Sequence, residues 1–119
     1  MKKRFFYNGV ILLIFSLLII SSLTFASDKD KIKIQGIVME LDLKKNMMIV
    51  NERTFVWDQN TIFYNEKGSP ITVDKLRAKT WVYIEGMKDN VRKRVVAEKI
   101  YLLPKYIDEK EKYRYPFMQ

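Results

Sequence analysis

The 119-residue chain contains no cysteine and no histidine. Without cysteine there is no disulfide scaffold, thiolate nucleophile or c-type haem attachment. Without either residue type, imidazole bases and nearly every zinc or copper site are excluded as well. The four glycines lie far apart, so no glycine-rich phosphate loop can be assembled. The carboxylates are dispersed over turn and outward positions, and no pair is placed for general acid–base work. Asp58 and Asn60 offer two oxygens, short of the roughly six to eight that calcium takes, and read as turn residues. The expectation is therefore a protein with no metal, no cofactor and no enzymatic activity. At this length it holds one compact core at most.

What the chain does have is order-forming material: 48% of residues are hydrophobic and 13% aromatic, the composition of a folded domain. Its first segment has a secretory layout. Lys2, Lys3 and Arg4 form a positive start, residues 10–20 (VILLIFSLLII) an uncharged apolar run, and residues 21–26 (SSLTFA) a polar break ending in small residues. Cleavage is expected between Ala26 and Ser27. The alternative is an uncleaved anchor, since residues 5–26 are mostly apolar and near the length that spans a bilayer. Either way the basic end stays cytoplasmic and the remainder lies outside, periplasmic or extracytoplasmic, anchored to the inner membrane if uncut. The 22 basic and 14 acidic side chains give a charge of +8. Loss of residues 1–26 removes three basic residues and no acid, leaving 19 against 14, or +5. That moderate charge, with export, argues against intracellular nucleic acid as a partner.

A short polar linker, residues 27–30, precedes a domain over residues 31–103 that reads as strands. From Lys31 to Leu43 apolar residues alternate with polar ones, but their parity changes. Ile32 and Ile34 share one face, and Ile37, Met39, Leu41 and Leu43 share the other, which places a bulge at Gln35–Gly36. Turns at residues 44–46 and 51–53 separate strands over 47–50 and 54–57, with Phe55 and Trp57 in the core. Thr61 to Tyr64 returns briefly to strand character. Residues 72–77 read as one or two helical turns, with Thr72 as cap, Asp74 in the first turn and Leu76 plugging the core. A fourth strand runs from Thr80 to about Glu85, ending at Gly86, and a fifth from about Arg92 to Leu103, bending near Glu98–Lys99. Five short strands with one short helix before the fourth predict an all-β architecture, a small closed or partly open barrel. A barrel of this size is filled by its own side chains, so binding belongs to its exterior.

Certain segments carry a resemblance: Ile34-Gln35-Gly36-Ile37-Val38, Phe55-Val56-Trp57-Asp58 with Asn60-Thr61, residues 71–76 (ITVDKL), residues 81–86 (WVYIEG) and Ala97-Glu98-Lys99-Ile100. Over about residues 31–103 the chain resembles small exported bacterial β-barrel domains of unknown function, similar to the bacterial periplasmic OB-fold proteins. The resemblance implies an OB-like fold and a binding or accessory role in the envelope. At one point the chain departs from the pattern, with Ala78-Lys79-Thr80 where the family carries a glycine.

Two features qualify as contact surface. Arg92, Lys93 and Arg94 form a basic run, with Lys88 near it and Lys44-Lys45 in the first turn, suited either to anions or to a solvated strand edge that resists aggregation. Trp81 and Tyr83 lie opposite Val82 and Ile84. If the latter pair is core, the aromatics face outward with Tyr101, free to stack on a partner or covered by a loop or the tail. The tail, residues 104–119, is a charged run (Asp108 to Lys112) and then an aromatic end (Tyr113 to Met118) that either folds back over the barrel or docks on another protein. The expected function is a non-enzymatic, exported binding or assembly module of the bacterial cell envelope. Its partner-binding surface is expected at Trp81, Tyr83, Arg92, Lys93, Arg94 and Tyr101, and its partner to be an envelope protein. The alternative is binding of an anionic polymer or glycan, such as an oligosaccharide, on the same aromatic and basic face.

Overall fold

The computed structural model describes residues 30–119; the leader, its apolar run and the Ala26–Ser27 cleavage position lie outside the described residues. Seven strands form one sheet: β1 (Lys31–Asp42), β2 (Met47–Val50), β3 (Arg53–Val56), β4 (Ile62–Tyr64), β5 (Pro70–Ile71), β6 (Trp81–Asp89) and β7 (Arg94–Leu103). The spatial order is β3-β2-β1-β6-β7-β4-β5, and β3 also pairs with β7. That extra pairing is parallel, Phe55 opposite Val95 and Val56 opposite Val96, and it closes β1, β2, β3, β6 and β7 into a ring. This is the connectivity of a small OB-like barrel. The five expected strands make the ring. The brief strand at Thr61–Tyr64 becomes a sixth, β4, and pairs with a seventh, β5, which the local sequence did not signal because it is two residues long.

The interior is packed by Val38, Met48, Val50, Phe55, Trp57, Phe63, Leu76, Val82, Ile84, Val95, Ala97 and Ile100, all buried. Phe55, Trp57 and the Leu76 plug lie where the sequence placed them. The helical segment is shorter than expected, a single 3₁₀ turn over Val73–Lys75. Thr72 makes no side-chain bond to the backbone there. Its hydroxyl donates instead to the Asp74 carboxylate, which holds that group below its ordinary pKa. The fourth ring strand also runs past Gly86, to Asp89.

The parity change in β1 comes later than expected. Opposite β2 the register moves from Val38↔Val50 to Glu40↔Ile49, so Met39 is the extra residue and is 60% exposed. Ile32, Ile34, Gly36 and Val38 therefore share the inward face, and Leu41 resumes it after the bulge. Ile37 and Leu43 are not core residues. Gly36 has a different use from the bulge expected of it: a Cβ there would lie 2.6 Å from Val50 Cγ1 and 2.7 Å from Asn51 Oδ1, so its bareness lets the β2–β3 turn close over β1. The expected bend in the last strand is present. Glu85 pairs with Lys99 and Gly86 with Ala97, leaving Glu98 as the bulge. At that point β7 changes neighbours, from β3 at Val95 and Val96 to β4 at Lys99, Ile100 and Tyr101. The Thr61 hydroxyl donates to the Ala97 carbonyl at 2.6 Å, supplying the hydrogen bond that neither strand gives at the changeover.

Lys79 adopts φ 65°, the left-handed conformation that glycine takes without penalty. Its amide donates to the Val38 carbonyl, while the Val38 amide donates to Thr80 O at 2.9 Å, so the turn is tied directly to the β1 bulge.

A Cβ on Gly86 would meet backbone, 2.5 Å from Val96 O and 3.1 Å from Ala97 Cα, whereas on Gly36 it meets side chains. Gly86→Ala should therefore destabilise more than Gly36→Ala, with Gly36→Ala costing about 1–3 kcal/mol in urea unfolding. The reverse order would contradict the packing described.

Candidate functional site

The six contact residues expected from sequence separate into two places. Trp81 and Tyr83 on β6 and Tyr101 on β7 do stand on the outer face, opposite the core residues Val82, Ile84 and Ile100. They are not an open surface: Tyr83 and Tyr101 are each 6% exposed, because the chain's own C-terminal segment lies over them. Of the two readings the sequence left open, aromatics free to stack or aromatics covered by a loop or the tail, the structure has the second. An apolar sheet face of that size is unfavourable in water, and the tail supplies its cover.

The cover has a polar clamp and an apolar lid. Gln35 projects from the outer face of β1, beside Tyr83 in the register. Its amide nitrogen donates to Ile107 O at 2.9 Å, and its carbonyl oxygen accepts from Ile107 N at 2.6 Å. Ile107, fully buried, packs with Tyr83, Tyr101, Leu103 and Met118. Phe117 stacks on Tyr101 with centroids 4.0 Å apart and planes 7° from parallel, and Tyr64 stacks on the same ring at 4.6 Å and 14°. Tyr106 meets Trp81 edge-on at 5.5 Å. The 3₁₀ turns Lys112–Arg114 and Pro116–Met118 bring Phe117 and Met118 back to the sheet, with Pro116 at the start of the second. The ion pairs Lys105–Glu111 and Lys112–Glu109 lie at the tail's surface. Such pairs contribute about 0–1 kcal/mol, against about 1.5–3 kcal/mol for burying a side chain such as Ile107, so apolar contact holds the tail. Burial pushes the Tyr83 hydroxyl up to about 12, with the Glu85 charge adding to it, and raises Tyr101 for the same reasons.

The second place is the end of the barrel where the β6–β7 turn meets the β2–β3 turn. Arg92 and Lys93 lie in the β6–β7 turn, Lys93 at φ 53°, and Arg94 opens β7. A cleft of about 450 Å³ there is lined by Ile32, Thr54 and Val95 and by the charged Arg53, Lys88, Lys93, Arg94, Glu52 and Asp89. Arg92 is exposed and not among the lining side chains. Arg53 was missed in the sequence: nothing local to residue 53 signals that the barrel brings it against a turn some forty residues away. Gln35 was missed for the same reason, its partner lying 72 positions distant. Asp58 and Asn60 form a turn as expected, Asn60 N donating to Asp58 Oδ1 at 2.8 Å. Among the described residues no group of three or more acidic side chains is placed to hold a metal ion.

Comparison of the sequence with family models and with curated proteins finds no match. Among solved structures the chain is similar to the fimbrial biogenesis protein PilY2 from Pseudomonas aeruginosa, with a TM-score of 0.51 and 17% identity over 73% of this chain and 95% of that one. It is also similar to a copper(II) form of CusF from Escherichia coli, with a TM-score of 0.48 and 11% identity over 65% and 96% of the two chains. At this identity the likeness to PilY2 establishes the fold alone.

Two outcomes test the covered face. Gln35→Ala leaves both polar groups of the Ile107 peptide without a protein partner and should cost about 1–3 kcal/mol in urea unfolding. Because the folded state holds Tyr83 neutral beyond its ordinary value of 10, stability is full below that pH and falls as pH rises toward about 12. A tyrosinate absorbance titration should show a late group that is lost in Tyr83→Phe. Uniform titration of all tyrosines near 10 would contradict burial of the ring.

Proposed function

We propose that the chain is a non-enzymatic, exported binding or assembly module of the bacterial cell envelope, and that its β6–β7 outer face grips an aromatic segment of an envelope protein. The observation that carries this reading is that the face already holds such a segment in cis. Residues 106–118 are fixed there by one two-point backbone clamp, one buried aliphatic side chain and one stacked ring. Backbone recognition by Gln35 is indifferent to the ligand's side chains, whereas the Tyr101 stack selects an aromatic one. The secretory layout of residues 1–26 supports the address, and the fold shared with a fimbrial biogenesis protein supports an assembly role. The interior, packed by side chains, leaves the exterior to do the binding.

A tethered tail competes at an effective concentration in the millimolar range, so a partner gains access when the tail's own hold is weakened. A labelled peptide of residues 104–119 should bind full-length Phe117→Ala at least about tenfold tighter than the unsubstituted protein, by fluorescence anisotropy. Adding Tyr101→Ala should abolish the gain. Equal binding to all three proteins, or none to Phe117→Ala, would overturn the reading.

A further inference from the structure

The charged end of the barrel has chemistry that the covered aromatic face does not use. Four cationic side chains, Arg53 at the start of β3, Lys88 near the end of β6, Lys93 in the β6–β7 turn and Arg94 at the start of β7, converge on the cleft, and only two anionic ones, Glu52 and Asp89, share it. Asp89 is already engaged. Its Oδ1 accepts from Val91 N at 3.2 Å and Arg92 N at 3.3 Å, which shapes the β6–β7 turn. Its Oδ2 stands 3.6 Å from Arg94 Nε, an ion pair beyond hydrogen-bond reach. Arg94 Nε is consequently a buried donor with no hydrogen-bond partner, the one such side-chain atom among the described residues. Burying a donor on a charged group without a partner is costly, while the Arg94 side chain as a whole lines the cleft and keeps 31% of its surface exposed, which leaves the rest of its guanidinium open to a ligand. Among the described residues Arg53, Lys88 and Lys93 take part in no ion pair, so the cleft carries uncompensated positive charge around that donor.

We propose that this cleft is a binding site for an oxyanion-bearing ligand of sugar size, with Arg94 as the anchoring donor and Arg53, Lys88 and Lys93 as the surrounding cations. A guanidinium presents a planar fork of donors that matches a phosphate or carboxylate in a way ammonium groups do not. The size follows from the walls. A volume of about 450 Å³ exceeds what a bare ion fills and falls within the range of small-molecule sites, and Ile32, Thr54 and Val95 give it apolar surface suited to a ring. The carboxylate of Asp89 competes for Arg94, so it sets the affinity from inside the site.

The test is a titration followed by amide chemical shifts at constant ionic strength, which removes general charge screening from the comparison. Inorganic phosphate, a hexose monophosphate, a hexuronate and the uncharged hexose serve as probes. The three anions should shift the amides of residues 52–54 and 88–95, the two anionic sugars more tightly than phosphate, and the uncharged hexose not at all. The ratio of hexose monophosphate to hexuronate affinity tells phosphate from carboxylate chemistry. Arg94→Gln should weaken binding about tenfold or more. Asp89→Asn keeps an oxygen for the turn and removes the competing charge, and should tighten binding several-fold. A merely structural role for the pair would make both variants weaker or leave both unchanged, and either result would overturn the proposal. So would shifts spread over Lys110 and Lys112, outside the cleft, to the same extent as within it.

Discussion

Two parallel pairs, Phe55 with Val95 and Val56 with Val96, turn a curled sheet into a closed ring, and most of the remaining structure follows from that closure. A ring removes the exposed sheet edges that would otherwise invite association. It also forces β7 to serve three neighbours, β6 along its length and β3 and β4 in succession on its other side. The Glu98 bulge provides the bend for that change. Gly86, pressed against the Val96 carbonyl, provides the room.

Closure fixes the interior and thereby creates a problem outside. With Val82, Ile84 and Ile100 inside, alternation places Trp81, Tyr83, Tyr101 and Leu103 on the opposite face. The central strands are thus apolar on both sides, a pattern more usual where a sheet is covered twice. Here the second cover is the C-terminal segment, hydrogen-bonded through Gln35 and stacked through Phe117. Closure also draws the β2–β3 and β6–β7 turns to one end of the barrel, where their charges share a cleft although nothing in either turn alone describes one.

The sequence conveyed what depends on local alternation. The ring strands, the core positions of Phe55, Trp57 and Leu76, the outward parity of Trp81 and Tyr83 and the bend at Glu98 are all written in neighbouring residues. The bulge in β1 was misplaced because Gly36 offered a ready explanation. Its bareness answers to Val50 and Asn51, which approach from another strand and turn, and the true insertion is Met39, an apolar residue whose exposure no alternation pattern reveals. Whether the tail folded back was open for a similar reason: the deciding contact joins Gln35 to Ile107 across 72 positions. The basic run of residues 92–94 was visible, but the structure assigns only Lys93 and Arg94 to the cleft and adds Arg53 from a distant turn.

The dependence of the outer face on its own tail is tested most directly by hydrogen exchange at the Ile107 amide under native conditions. Donated to Gln35 and fully buried, that amide should exchange as slowly as amides in the centre of β6, such as Ile84. Exchange at the rate of an unstructured terminus, with β6 still protected, would show that the barrel stands without its cover and that the aromatic face lies open.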